Sequence, residues 1–118
     1  MYMEQECKEV IDGYNCGLGV ALQLIGGKWK GAILQLLEEN PHRFGELKRD
    51  LLGVSERILI KQLREMEQDG LILRRDFKSL PPKVEYSITP LGASLLEALC
   101  PLSEWVSSQT RFSSITVS

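Results

Sequence analysis

Arg57, Lys61, Arg64 and Gln68 follow one another at spacings of four, three and four residues. At about 100° per residue, such spacings gather all four side chains into a sector of about 60° on a helix. Leu59, Leu63 and Met66 fall on the opposite side, and Ser55 leads the segment in as a candidate N-cap. Three cations and an amide on one edge, braced by leucines on the other, suit contact with a polyanion. A guanidinium can fork onto guanine O6 and N7, and an ammonium can meet phosphate oxygens. A merely solvated charged face is the competing reading of the stripe alone. The elements around it decide.

Upstream, Leu18, Ala21, Leu22 and Ile25 have helical spacing and run into Gly26-Gly27, which predicts a helix and its stop. A second helix is expected from near Lys28, turning Trp29, Ile33, Leu36 and Leu37 inward and ending at Asn40-Pro41. Phe44, Leu47 and Leu51 mark a short third helix closed by Gly53. A three-residue connection then leads to the helix that begins after Ser55 and ends at Gly70. Residues 71–77 read as a strand, 78–82 as a turn and 83–88 as a second strand. There Val84, Tyr86 and Ile88 alternate with Glu85 and Ser87, which predicts one buried face. Thr89-Pro90 is a helix start, with Thr as N-cap and Pro at the first helical position. Leu91, Leu95, Leu96, Leu99 and Leu102 follow, towards Trp105, and Pro101 should kink or break that helix.

The order helix, helix, helix-turn-helix, hairpin, helix defines a winged helix-turn-helix, a mainly α domain with a small β-hairpin. Residues 1–16 are expected to form an N-terminal arm. Residues 17–106 form the domain with its C-terminal dimerisation helix, and the Ser/Thr-rich residues 107–118 a flexible tail. Leu18, Leu22 and Ile25, with Leu95, Leu99 and Leu102, supply more apolar stripe than one small monomer needs, which points to a homodimer. Trp29, Phe44, Tyr86 and Trp105 sit at apolar-periodic positions and are expected in core or dimer packing.

The chain has 118 residues, room for one domain, and a net charge of −2. That average conceals a gradient of −3 over residues 1–41, +3 over 42–83 and −2 over 84–118. Positive charge gathers around the stripe and the hairpin, and local field matters more than net charge for phosphate contact. There is no P-loop, no dinucleotide glycine motif, no metal-ligand spacing and no nucleophile with a nearby base, so an enzyme is not indicated and no cofactor is expected. One histidine (His42) and three dispersed cysteines leave neither a histidine metal centre nor a disulfide framework. Without an 18-residue apolar run or a signal-like N-terminus, a cytoplasmic protein without membrane contact is expected.

These motifs resemble the HxlR-type branch of bacterial winged-helix transcriptional regulators. The matching segments are Ile25-Gly26-Gly27-Lys28-Trp29, Arg43-Phe44-Gly45-Glu46-Leu47, Gly70-Leu71-Ile72, Pro81-Pro82-Lys83-Val84-Glu85-Tyr86-Ser87-Ile88-Thr89 and Leu91-Gly92. Glu56 stands where the family often has proline, Gly17 follows Cys16 where proline is usual, and the proline of the last helix is shifted to Pro101. The resemblance implies a homodimer formed through the first and last helices, binding double-stranded DNA with a recognition helix in each of two successive major grooves. In some members a cysteine just before the first helix senses oxidants or electrophiles. Cys16 matches that position approximately, and a helix N-terminus favours the reactive thiolate.

On this reading Arg57 reads a base, Lys61 and Gln62 meet a base edge or a phosphate, and Arg64 meets a phosphate. Gln62, by helical angle, sits nearer the buried side. Ser55 caps the helix and helps form a phosphate site. Lys28 and Arg43, at helix starts, reach the flanking backbone, while Lys78 and Lys83 arm the tip of the hairpin. Trp105 joins the apolar dimer set, Cys100 is expected in buried packing, and Cys7 is a conceivable partner thiol for Cys16. A small-molecule or oxidant effector is conceivable. The rival reading is a winged-helix module that docks on protein without binding DNA, but its outward helix face should be apolar or acidic.

Overall fold

Twelve apolar side chains, from Ile33 to Leu96, close a single core, and the elements around it are the ones that carry them. The structure is a computed structural model that describes residues 17–112. Five helices occur among these residues: α1 (Gly17–Leu24), α2 (Lys30–Glu39), α3 (Phe44–Asp50), α4 (Glu56–Gln68) and α5 (Pro90–Ser108). Between α4 and α5 lies an antiparallel hairpin of β1 (Ile72–Asp76) and β2 (Val84–Ile88), in register from Ile72 opposite Ile88 to Asp76 opposite Val84. This is the expected winged helix-turn-helix.

Ile33, Leu34 and Leu37 of α2, Leu47 of α3, and Leu59, Leu63 and Met66 of α4 are buried with Leu71, Ile72 and Leu96. Trp29, Leu36, Phe44, Tyr86 and Leu95 pack against this core while staying partly exposed. Three helix ends around the hairpin carry their own signals. Ser55 Oγ accepts from Ile58 N–H at 3.1 Å to start α4. Gly70, at φ +80°, ends it, with Gly70 N–H donating to Glu67 O and Leu71 N–H to Met66 O, the paired bonds of a Schellman stop. Thr89 Oγ1 accepts from Gly92 N–H at 3.0 Å and donates towards the carbonyls of Gly70 and Leu71, at 2.6 and 3.0 Å. One side chain thus starts α5 and ties it to the end of α4.

Several expectations need adjusting. Helix α2 begins at Lys30, because the bend opened by Gly27 (φ +98°) carries on through Trp29. Five residues, 51–55, separate α3 from α4 rather than three. Every residue of β2 is half-buried, so its expected one-sided burial is absent. Three helices, α2, α3 and α5, pack against it, and His42 pairs with its edge at Tyr86 through two backbone bonds of 2.8 and 3.0 Å. Pro101 neither ends nor interrupts α5, since a missing N–H costs this 19-residue helix one bond. Ser107 and Ser108 belong to its last turn, and a 3₁₀ turn follows at Thr110–Phe112, so the expected tail does not begin at Ser107. Cys100 is exposed rather than buried. No described helix is long and apolar enough to cross a membrane.

Gly92 lies where α5 crosses the start of the hairpin. A Cβ there would overlap the Leu71 carbonyl oxygen and sit 2.9 Å from Ile88 Cγ1. Gly92→Ala is therefore expected to lower stability by about 1–3 kcal/mol, the usual cost of forcing a methyl into packed structure. The urea unfolding midpoint measures it; an unchanged midpoint would show that the crossing is loose.

Candidate nucleic-acid interface

Helix α4 is rotated so that its leucines face the core: Leu59, Leu63 and Met66 are no more than 2% exposed. Arg57, Lys61, Arg64 and Gln68 are all exposed on the other edge, as their spacing requires. No carboxylate among the described residues forms an ion pair with Arg57, Lys61 or Arg64. In particular, Arg64 is not tied to Glu67. Three long cations therefore extend from one rigid helix with their charges uncommitted.

Gln62 lies off this edge. It is half-buried, its Oε1 has no hydrogen-bond partner among the described residues, and that oxygen stands 3.4 Å from where a Cβ on Gly27 would be. It packs towards the α1–α2 bend, the side its helical angle indicated. Lys28 is exposed in that same bend, its ammonium 4.8 Å from the centre of the Trp29 ring, rather than on the first turn of a helix. Arg43 is exposed before α3. Glu46 accepts its backbone N–H at 2.8 Å, so the carboxylate caps the helix instead of holding the guanidinium.

The wing brings a second group of cations forward. Arg74 of β1, opposite Tyr86, shares a hollow with Ile60, Arg64 and Glu67 of α4. Arg74 is not among the residues expected from the sequence. Its signal was the Arg74-Arg75 pair within a strand: with side chains alternating, one of the two must face α4. Arg75 and Lys83 both lie over the Phe77 ring, at 4.4 and 4.5 Å, and Lys83 is also 3.7 Å from Glu85. Lys83 is thus half-buried and partly committed at the base of the tip, whereas Lys78 is exposed at the turn. Lys78 has φ +52°, and its N–H donates to Asp76 Oδ1 at 2.8 Å.

The apolar set is divided. Leu18, Leu22, Leu102 and Trp105 are each more than half exposed, while Ile25, Leu95 and Leu99 are half-buried, with Leu95 packed on the core. Trp105 also stands 6.1 Å from Phe112, ring to ring. Cys7 and Cys16 lie outside the described residues.

A helix-turn-helix with an uncommitted cationic rib on its second helix and a basic hairpin beside it is a winged-helix regulator architecture. The model of the HxlR-like helix-turn-helix family matches residues 24–114, and the chain belongs to that family. It is 46% identical over 92 residues to YkvN of Bacillus subtilis, an uncharacterized HTH-type transcriptional regulator, covering 78% of each chain. A crystal structure of a MarR-family transcriptional regulator from Enterococcus faecalis superposes with a TM-score of 0.71 at 46% identity, covering 75% of this chain and 80% of that one. The redox regulator HypR in its oxidized form gives 0.72 at 38% identity, covering 80% and 97%.

One partly buried ion pair adds a polar fastening between α2 and α4. Lys30, 5% exposed, places Nζ 2.8 Å from Glu65 Oε1, joining the first residue of α2 to the last third of α4. The Lys30 ammonium holds the Glu65 carboxyl below its ordinary value of about 4.5, with Lys61 adding a smaller pull in the same direction. A lowered folded-state value means stability that is fully present above about pH 4.5 and lost as pH falls through the folded value. Glu65→Gln is expected to cost about 1–2 kcal/mol at neutral pH, the low end for a charged hydrogen bond because Glu65 is partly in water. Urea unfolding at several pH values checks this: the gap to the unsubstituted protein should close below about pH 4.5. A gap independent of pH would mean that the pair contributes no charge-dependent stability.

Proposed function

We propose that the chain regulates transcription by binding a specific double-stranded DNA operator as a homodimer, with α4 in the major groove and the wing on the flanking backbone. The observation that carries this is the exposed, unpaired rib of Arg57, Lys61 and Arg64 on a helix whose other edge is locked in the core. Such a face favours nucleic acid over a protein partner, for which an apolar or acidic surface would serve better.

Arg57, in the first turn, is the base reader, and Lys61 follows it towards base edges. Arg64, Arg74 and Lys78 meet phosphates on either side, with Lys28 and Arg43 further out and Ser55 at the helix N-terminus. Gln62 and Lys83 support this set from partly buried positions.

A second copy covers the exposed Leu18, Leu22, Leu102 and Trp105, since one chain leaves both helices apolar towards water. Twofold symmetry then calls for an inverted-repeat operator with half-sites about one helical turn apart. Repression is the simplest outcome, because a small dimer on a promoter blocks it without an activation surface. The setting is cytoplasmic. A thiol response at Cys16 is part of the proposal, supported by the redox-regulator likeness and the approximate family position.

A mobility-shift assay with the duplex upstream of the chain's own gene tests the reading. Arg57→Ala should weaken binding by about 1–3 kcal/mol, concentrated at one base pair of each half-site. Neutralising about six phosphates per dimer should give a slope of log K against log salt near about −5. Binding that is indifferent to salt and to Arg57 would end the proposal. For Cys16, the check is operator release by diamide: Cys16→Ser should abolish it, and unchanged release would remove the thiol from the account.

A further inference from the structure

Ile60 is out of place beside the rib. It is 38% exposed on the flank of the outward face that adjoins the wing, and at about 100° per residue it falls between Glu67 and Arg64. It lines two hollows of that face, one with Glu56, Arg57 and Lys61 and the other with Glu67, Arg74 and Tyr86. Ile58, also exposed, lies on the opposite flank beside Gln62 and away from the wing. The part of this aliphatic side chain that stays in water, among charged neighbours, gains nothing in the free protein.

We propose that Ile60 reads the 5-methyl group of a thymine within each half-site. This rests on the DNA-binding reading above and names one determinant of its specificity. The thymine methyl is the apolar group on the major-groove edges of the bases; the others are hydrogen-bond donors and acceptors. An isoleucine pressed against an amino or carbonyl edge would strip its water and return no hydrogen bond, so it selects against those bases. Beside a methyl it loses nothing polar and both groups leave water. Arg57 and Lys61 lie on one side of the contact and supply the hydrogen bonds it lacks, while Arg64 and Arg74, together in the second hollow, hold the backbone. The base-reading patch is then part polar and part apolar.

Deoxyuridine removes only the methyl and gives a direct test. Duplexes bound by the full chain are enriched from a random library, and each thymine of the enriched half-site is replaced singly by deoxyuridine. At one thymine per half-site the loss should be about four-fold, and about fifteen-fold when both half-sites are changed. Ile60→Ala should weaken binding to the thymine operator by a similar factor and show no further loss with uracil at that position. Ile60→Val should retain part of the discrimination. Ile60 is exposed and alanine favours helix, so both variants should keep the parent circular dichroism spectrum.

An equal uracil penalty in the parent and in Ile60→Ala, or no penalty at any thymine, overturns the proposal while leaving DNA binding intact. Failure to enrich any duplex overturns the DNA-binding reading itself, and Ile60's role with it.

Discussion

The seating of α4 in the core is the constraint on which the rest depends. Leu59, Leu63 and Met66 recur at spacings of four and three, and all three are almost fully buried against α2, α3 and the hairpin. A helix held at three points along one edge cannot turn about its axis. Turning by a single residue, about 100°, would carry charged side chains into the core, where an unpaired ion is far more costly than a lost methylene contact. The apolar edge thus does two things at once: it stabilises the domain and sets the direction in which Arg57, Lys61 and Arg64 point. The Lys30–Glu65 contact adds a polar fastening on the flank between those edges, where a leucine would be half in water.

The wing's position follows from a junction only a few residues wide. Gly70 ends α4 with positive φ, Leu71 enters the core at once, and Thr89 bonds the carbonyls of both before α5 begins. Gly92 completes the junction by letting α5 pass close over Leu71 and Ile88. The C-terminus of α4, the base of β1 and the N-terminus of α5 therefore behave as one piece. That is why Arg74 stands beside Arg64 rather than swinging with a loop. The outer hairpin is held differently, by Phe77 beneath Arg75 and Lys83 and by the turn bonds at Asp76 and Ser79.

What was legible in the sequence was what short-range physics dictates. Ser55, Gly70 and Thr89-Pro90 announce helix ends through bonds made within a few residues, and the structure makes those bonds. The orientation of α4 was legible because a 3.6-residue period leaves one way to bury three apolar side chains. The features that escaped depend on partners distant in sequence. A buried lysine at Lys30 needs Glu65, on another helix, to make sense of it. The even burial of β2 needs His42, which arrives from before α3. Arg74 was missed because alternation says that Arg74 and Arg75 face opposite ways, not which of them meets α4. At Pro101 and Cys100 a local rule was applied too strongly: one absent N–H does not stop a long helix, and a cysteine is not buried by its type.

The least satisfied of the described helices are the first and the last. Helix α1 has eight residues and no buried side chain, and α5 buries only Gly92 and Leu96 over 19 residues. A helix of eight residues does not hold itself together in water, so α1 depends on whatever covers Leu18 and Leu22. In the proposed twofold arrangement that cover is the same helix pair of a second chain. The consequence for recognition is geometric. Since α5 is rooted at Thr89, against the end of α4, the separation of two recognition helices across the seam is set by rigid helix from root to interface, with no flexible loop between. A change at the seam would then reach both rib positions together, and the spacing of the half-sites would belong to the fold rather than to its loops.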